Sequence, residues 1–287
     1  MTVTGVDRVG SRRRLGGLLQ EAAGNDCAVM AFNVVDPASM QGVLDAAEAA
    51  EVPVVVQLSV RSARQWGIEA ALACHTEASG GRAWPSVLHL DHCADREFAE
   101  DCLRAGWDSV LFDASGLPYE TAVRQTAELV EVAAQFGGDV EGEFEAIPRV
   151  GETRSGGPGE YAPASQERVR DFIGRTGVTC FSPDLGTAHG AYTHQPVVDH
   201  ERAQAITATT GVPLVLHGGT GLDPQVVTRL VDCGVRKINI STQIKHAYVG
   251  AATAAASATE PLEVLDRISA AVREVAAGYC RTFGQRG

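Results

Sequence analysis

Three histidines occupy corresponding places in the sequence, each at or just after the end of a short apolar segment. The spacing of His92, His189 and His217 is close to three repeats and then one repeat of a strand–helix unit of roughly 30 residues. If those segments are strands of one repeating α/β fold, the three imidazoles converge on the same face. Three neutral imidazoles with a fourth position open form a catalytic zinc site, where the metal is a Lewis acid toward substrate oxygen. A single histidine is more often a hydrogen-bonded structural residue, but three at matching positions favour the metal site.

Carboxylates near these histidines could move protons or hold a cation. Asp91 directly precedes His92, and a carboxylate beside a metal-held substrate can act as general acid and base on a hydroxyl. The alternative is a partner that orients an imidazole. Either role requires the chain to bend at Asp91, because neighbouring strand residues point to opposite faces. Glu141 and Glu143 share one face of another strand candidate, which suggests a barrel interior that holds a cation.

Glycine-rich turns follow three of the later strand candidates and could bind a phosphate group. They lie at residues 186–190, 217–221 and 239–242. Backbone N–H groups and hydroxyls can bind a dianion without a basic side chain, and the loops after strands 7 and 8 are the usual phosphate site of a barrel. One such turn alone would more often be only a tight turn. Three at adjacent strand ends favour a phosphate site.

Composition and charge exclude several classes of partner. The chain has 287 residues, of which 45% are hydrophobic and 21% charged, as in a globular protein with a large core. Its formal net charge of −12 repels nucleic-acid phosphates and anionic lipids, so we expect neither a nucleic-acid nor a membrane partner. An anionic substrate would then need local capture by backbone N–H groups or by a metal ion.

The numbers and positions of cysteines and lysines argue against three kinds of chemistry: disulfide crosslinking, a zinc ribbon and a Schiff base. Seven cysteines without a C-x-x-C pair argue against a disulfide scaffold or a zinc ribbon. Because the N-terminus has no signal-peptide pattern and no long apolar run occurs, we expect a cytoplasmic protein. The two lysines are Lys237, at the start of a strand candidate, and Lys245, in the next helix candidate. We expect neither to form a Schiff base at a barrel mouth.

Short apolar segments alternate with Ala-rich helical segments, which is typical of βα units around a parallel sheet. Eight strands are predicted, at residues 28–33, 53–58, 86–90, 109–113, 139–144, 179–182, 212–217 and 236–240. Helices are predicted at 37–50, 69–78, 96–105, 119–136, 165–174, 199–210 and 224–233, followed by a helical stretch from residue 241. Eight units predict an α/β fold, a closed (β/α)8 TIM barrel forming a single domain over residues 1–287. An open doubly wound sheet is the alternative, weakened because no G-x-G-x-x-G follows the first strand.

Two segments depart from the repeat. Residues 146–163 are too polar and glycine-rich for a helix, and we expect a mobile active-site loop there. A helical extension is predicted at about 257–287.

The motifs at the strand ends together resemble one known family. Over nearly its whole length the sequence is similar to the class II, zinc-dependent ketose-bisphosphate aldolases, close to the fructose- and tagatose-bisphosphate aldolases. In this order the motifs are highly specific: Ala31-Phe32-Asn33, Gln57-Leu58-Ser59, His89-Leu90-Asp91-His92, Asp113-Ala114-Ser115, Gly186-Thr187-Ala188-His189-Gly190, Leu216-His217-Gly218-Gly219-Thr220-Gly221 and Lys237-Ile238-Asn239-Ile240-Ser241-Thr242.

The resemblance implies a role for most of these residues. His92, His189 and His217 would be the zinc ligands, and Glu143 would bind the metal in an alternative, more buried position. Asp91 would take the C4 hydroxyl proton during cleavage and return it to the aldehyde during condensation. Dihydroxyacetone phosphate would be bound, often with the help of a monovalent cation, by Asn33, Ser59, Gly190, Gly218, Gly219, Thr220, Asn239, Ile240, Ser241 and Thr242.

The sequence departs from the family pattern mainly in the loop. The family commonly has Gly-Gly-x-Glu-Asp there, with the glutamate moving the proton at the enediolate carbon. Glu152 is the candidate for this role, one position out of register. Thr220 stands where serine is common and keeps the hydroxyl. The changed loop bears on the aldehyde partner more than on the chemistry.

We therefore expect a metal-dependent aldolase, a carbon–carbon lyase that makes or cleaves a ketose phosphate through the dihydroxyacetone phosphate enediolate. A fructose-1,6-bisphosphate type and a homo-oligomer, dimer or tetramer, follow from the resemblance. The alternatives are a related phosphoketose aldolase acting on another aldehyde and a metal-dependent sugar-phosphate isomerase or epimerase, which breaks no carbon–carbon bond. A phosphosugar-binding barrel without catalysis is the non-enzymatic alternative.

Overall fold

Eight parallel strands close into one barrel in chain order. The computed structural model describes residues 14–151 and 163–285. Each strand pairs with the next along the chain, and β8 pairs with β1, so the predicted barrel is confirmed and the open-sheet alternative is wrong. The strands are β1 (Val29–Asn33), β2 (Val54–Ser59), β3 (Ser86–Cys93), β4 (Ser109–Asp113), β5 (Asp139–Glu143), β6 (Cys180–Phe181), β7 (Leu214–Leu216) and β8 (Val235–Ile240).

Helices surround the barrel and pack their apolar faces on it. They are α1 (Leu15–Gly24), α2 (Pro37–Ala50), α3 (Val60–Trp66), α4 (Ile68–Ser79), α5 (Arg96–Ala105), α6 (Tyr119–Phe136), α7 (Gln166–Thr176), α8 (His200–Thr210), α9 (Pro224–Asp232), α10 (Thr242–Ala254) and α11 (Pro261–Phe283). In the part of the chain that the structure describes, no helix combines the length and apolar character needed to cross a bilayer.

The helix ends follow local capping chemistry. The Asp36 carboxylate accepts from the Ser39 backbone N–H at the start of α2, and Pro37 occupies the first turn, where its missing N–H costs nothing. Gly106 and Gly137 end α5 and α6 in the left-handed conformation that glycine adopts without strain. These signals explain why the sequence predicts all three helices with their observed bounds.

Two helices were not predicted, and one predicted stretch is divided. Helix α1 buries Leu15, Leu18 and Leu19 against the interior side chains of the strands, and so closes the N-terminal end of the barrel. Its two adjacent glycines and short length obscure its amphipathic pattern. Helix α3 begins where Ser59 accepts from the Ser62 backbone N–H. The helical stretch predicted from residue 241 is interrupted between α10 and α11.

Helix α11 covers β1 and crosses α2 at close range. Ile268 and Val272 are buried on its inner face. A Cβ added to Gly42 of α2 would lie 2.5 Å from the backbone oxygen of Ser269, a distance that real Cβ atoms do not tolerate. Because the obstacle is backbone, the two helices can approach this closely only with glycine at position 42.

We predict that Gly42→Ala lowers the stability of the protein. Alanine gains about 1 kcal/mol in a helix interior, but overpacking costs about 1–3 kcal/mol and should outweigh that gain. Gly174→Ala in α7 is the matched control, since a Cβ there meets nothing within 4 Å. Thermal unfolding should show a lower Tm for Gly42→Ala and an equal or higher Tm for Gly174→Ala. A Gly42→Ala protein as stable as the control would contradict the packing argument.

Candidate active site

A cavity of about 560 Å³ opens at the C-terminal ends of the strands. Most of the predicted site residues line it, together with side chains that sequence reasoning had not assigned to a role. The predicted residues that line the cavity are Asn33, Ser59, Asp91, His92, Glu143, His189, Gly190, Gly218, Thr220, Asn239, Ser241 and Thr242. His217 is buried directly beside the cavity, with its Nδ1 atom 2.8 Å from Nε2 of His92.

Some predicted residues lie elsewhere. Ile240 belongs to the hydrophobic core, and Gly219 packs against Ile238 of β8, so neither lines the cavity. Glu152 lies outside the described residues. The expectation that neither lysine forms a Schiff base stays a prediction, but Lys245 does project from α10 and line the cavity. That helix begins at the cavity rim, so its second turn still faces the site.

A kink in β3 turns two consecutive side chains toward the site. His92 has a φ of 48°, in the left-handed region, and the pairing register with β4 shifts between Leu90 and Cys93. This bulge breaks the normal alternation, so both Asp91 and His92 line the cavity. The bend that the sequence requires at Asp91 is therefore made at the next residue.

The three histidines meet closely enough to share one metal ion. Their potential ligand atoms all lie within 4.8 Å of one another. Burial, with the nearby His92, lowers the pKa of His189 to about 4. Burial also lowers the pKa of His217 well below 6.5. Both rings are therefore neutral near pH 7 and carry a free nitrogen lone pair. Three imidazoles in this arrangement suit zinc, which prefers nitrogen and sulfur ligands in tetrahedral sites.

A second group of potential ligands adjoins the first and shares His92 with it. It adds Asp113 and Glu143, again with ligand atoms within 4.8 Å of one another. Burial raises the pKa of Glu143 to about 7, and its Oε2 atom has no hydrogen-bond partner among the described residues. Burial also raises the pKa of Asp113, but hydrogen bonds from His92 and Ser115 outweigh it and hold that pKa at about 2. A buried carboxylate with an unpartnered oxygen fits a cation site.

Asp91 is held by a chain of amide side chains. Asn33 Nδ2 donates to Asp91 Oδ2 at 2.8 Å, and Gln57 Nε2 donates to Asn33 Oδ1 at 2.9 Å. The other oxygen, Oδ1, is buried without a partner among the described residues. Burial raises the pKa of Asp91, but the charges of His92 and Lys237 and the hydrogen bond from Asn33 outweigh it and lower the pKa below its usual value. The residue is thus a carboxylate with one oxygen fixed and one available.

Glu141, unlike Glu143, does not line the cavity. Its Oε1 atom accepts from Nε2 of His217 at 2.9 Å, and its Oε2 atom accepts from Nζ of Lys237 at 2.8 Å. The two glutamates predicted a cation in the barrel interior. At Glu141 that cation is the ammonium group of Lys237. Because a carboxylate can only accept, Nε2 of His217 carries the hydrogen and Nδ1 is left to face His92.

Tyr192 joins the two loops that carry His189 and His217. Its hydroxyl accepts from Ala188 N at 2.8 Å and lies 2.9 Å from the carbonyl oxygens of both Ala188 and Gly218. The loops approach so closely that a Cβ on Gly218 would lie 2.3 Å from the Ala188 oxygen. No sequence motif pointed to Tyr192, whose only signal is its position shortly after a predicted ligand.

We predict that Tyr192→Phe weakens zinc binding, because it releases this contact between the ligand-bearing loops. Supporting groups around a metal site typically contribute about 10–100-fold in affinity. Scanning calorimetry should show a smaller rise in Tm on adding zinc than in the wild type. Tyr119→Phe, which removes a hydroxyl bonded to Asp171 on the exterior, is the control and should respond to zinc as the wild type does. Equal zinc responses in all three proteins would contradict the role of Tyr192.

Comparison with known proteins agrees with this geometry. The family model of class II fructose-bisphosphate aldolase matches residues 13–287. The fructose-bisphosphate aldolase of Geobacillus stearothermophilus is 30% identical over 277 residues, 94% of this chain and 96% of that relative. The solved structure of the YdjI aldolase from Escherichia coli K12 has a TM-score of 0.84 at 26% identity, covering 95% of this chain and 97% of that one. The fructose-bisphosphate aldolase from Campylobacter jejuni, with a TM-score of 0.75 at 19% identity over 95% of each chain, shares the fold. The resemblance is confirmed: the chain belongs to the class II fructose-bisphosphate aldolase family.

Proposed function

We propose that the protein makes or cleaves a ketose phosphate through dihydroxyacetone phosphate, with fructose 1,6-bisphosphate as the first substrate to test. The observation that carries this proposal is one cavity where His92, His189, the free oxygen of Asp91 and glycine-rich turns converge, with His217 buried directly beside it. The name of the Geobacillus stearothermophilus relative, fructose-bisphosphate aldolase, supports the choice of substrate.

Zinc is the metal that best fits the donor set. His92, His189 and His217 would hold it, with Glu143 available for the alternative position. When bound, zinc supplies a Lewis acid that polarises a substrate carbonyl. A monovalent cation near the phosphate site also belongs to the proposal, on the family resemblance alone.

Asp91 would carry the proton of the reacting hydroxyl. In cleavage its Oδ1 atom accepts the proton from the C4 hydroxyl as the C3–C4 bond breaks, and in condensation it returns that proton to the aldehyde oxygen. Asn33 holds the other oxygen, so the carboxylate cannot turn away from the substrate. Its lowered pKa suits a group that must begin the cleavage reaction unprotonated.

The phosphate of dihydroxyacetone phosphate would lie beside the ends of β7 and β8. Gly218 and Thr220 follow β7, while Ser241 and Thr242 form the start of α10, where free backbone N–H groups favour anions. Lys245, one turn further along α10, adds a positive charge that sequence reasoning had not assigned to this site. These groups supply the local attraction that a chain with a net charge of −12 requires.

The aldehyde half would extend toward β2 and β3. Ser59 is aligned with Asp91 in the pairing of these two strands, and Arg61 lines the cavity two residues further on. A guanidinium group on this side favours an aldehyde that carries a phosphate, as the fructose 1,6-bisphosphate reaction requires. The related phosphoketose aldolase with another aldehyde differs only in this half. A homo-oligomer in the cytoplasm, as family resemblance suggests, completes the proposal.

We predict that the zinc-loaded protein exchanges a carbon-bound proton of dihydroxyacetone phosphate with solvent deuterium. This half-reaction needs no aldehyde, and proton NMR follows it directly. Chelation of the zinc should abolish the exchange, and restoring zinc should recover it. Absence of exchange with zinc demonstrably bound would contradict the aldolase proposal. Conversion of the substrate into a carbon-conserving isomer, without triose formation, would favour the isomerase or epimerase alternative.

We predict that Asp91→Asn slows carbon–carbon cleavage by about 10²–10⁴-fold, the usual contribution of a general acid or base. Because Asp91 acts on the C4 hydroxyl, deuterium exchange into dihydroxyacetone phosphate should fall much less. Asp101→Asn, on the exposed face of α5, is the matched control and should match the wild type in both assays. Full retention of cleavage by Asp91→Asn would contradict the assigned proton transfer.

A further inference from the structure

A lysine lies inside the barrel with no access to solvent. Lys237, on β8, has 0% of its surface exposed. Its Nζ atom donates to Glu141 Oε2 and to Asn239 Oδ1, each at 2.8 Å. Burying an ammonium group is costly unless it is paired, and a well-packed apolar residue would often fill such a position without that cost. The contacts of Lys237 therefore point to a task other than packing.

Glu141 connects this lysine to one of the proposed metal ligands. Its second carboxylate oxygen accepts from Nε2 of His217 at 2.9 Å, and all three side chains have no exposed surface. Asn239 Nδ2 also lies 3.1 Å from the same nitrogen, but it cannot accept a hydrogen. The carboxylate is the acceptor, so it selects the tautomer of His217 in which Nδ1 is free for a metal.

Among the described residues, Lys237 is the only hydrogen-bond donor to Glu141 Oε2. His89 Nε2 lies 3.6 Å from this oxygen, too far for a hydrogen bond, and it has no hydrogen-bond partner in the part of the chain that the structure describes. The opposite nitrogen of that ring pairs with Ser109 at 2.8 Å. If Lys237 were absent, Glu141 could turn toward His89 and away from His217.

We infer that Lys237 is a positioning residue for the metal site. It fixes Glu141, and through Glu141 it fixes both the tautomer and the orientation of His217 as a ligand. The inference rests on the proposed function only in requiring that His217 bind zinc. It gives Lys237 a task that involves no covalent chemistry with the substrate.

The test measures zinc affinity in Lys237→Met by competition with a chromophoric chelator, on protein whose fold is verified by circular dichroism. We expect the dissociation constant for zinc to rise about 10–100-fold, as when other supporting partners of metal-bound histidines are removed. Arg124→Met is the control, because that cation is exposed on α6 and pairs with Glu128 rather than with Glu141 or His217. Its zinc affinity should stay within twofold of the wild type.

A second readout separates positioning from a purely structural role. Nitrogen-15 NMR of zinc-free protein should show His217 hydrogenated at Nε2 in the wild type and a mixture of tautomers in Lys237→Met. If Lys237→Met does not fold, Lys237→Gln takes its place, since an amide can still donate to Glu141 without the charge. For Lys237→Gln we expect a smaller loss of zinc affinity, about 3–10-fold, and partial tautomer mixing.

Wild-type zinc affinity and an unmixed tautomer in a folded Lys237 variant would overturn the inference, even if the variant melts at a lower temperature. Both readouts are independent of any substrate. A weaker zinc site in Lys237→Met would thus support the inference even where the wild type fails to exchange deuterium into dihydroxyacetone phosphate. In that outcome the proposed function fails and the positioning role stands.

Discussion

Closure of the parallel ladder between β8 and β1 is the constraint on which the rest of the structure depends. Because all eight strands run in the same direction, closure brings their C-terminal ends to one rim, and residues far apart in sequence become neighbours there. His92 and His217, 125 positions apart, lie with their ring nitrogens 2.8 Å from each other for this reason. The bulge at His92 depends on the same ladder, since a local kink is tolerated only where the flanking pairs hold the strand in place.

The barrel interior divides into an apolar end and a polar end. At the N-terminal end, α1 inserts leucines among Val29, Val55 and Val215, while the large outer core between strands and helices is also apolar. Toward the C-terminal end the interior carries charged and amide groups, among them Glu143 and Asn239, which line the cavity, in place of the branched side chains usual in barrels. Such groups cost desolvation energy, which their mutual hydrogen bonds offset only in part. Burial of apolar side chains at the N-terminal end and in the outer core offsets the remaining desolvation cost of these polar groups.

Residues of the same type have different pKa values in the site, because their burial and charged neighbours differ. Burial makes His189 and His217 neutral, but His92 differs: burial lowers its pKa, while Glu143 and Asp91 outweigh burial and hold the pKa well above 6.5. Carboxylates diverge in the same way, since the pKa of Asp113 is about 2 and that of Glu143 about 7. A bound cation would favour neutral His92 and ionised Glu143. It would take the place of the proton on His92, and its charge would compensate the charge of Glu143.

The sequence by itself determined the barrel, the order of its strands and the histidine set, because apolar periodicity, capping residues and the regular spacing of motifs are local properties. It also indicated the glycine turns, but not which of their residues would face the cavity: Ile240 lies in the core instead. Only the tertiary structure decided the contacts between strands distant in the chain. The pairing of Lys237 with Glu141, the approach of Lys245 to the rim and the contact of Tyr192 with two loops depend on side-chain direction and barrel closure, for which a single strand or helix carries no pattern.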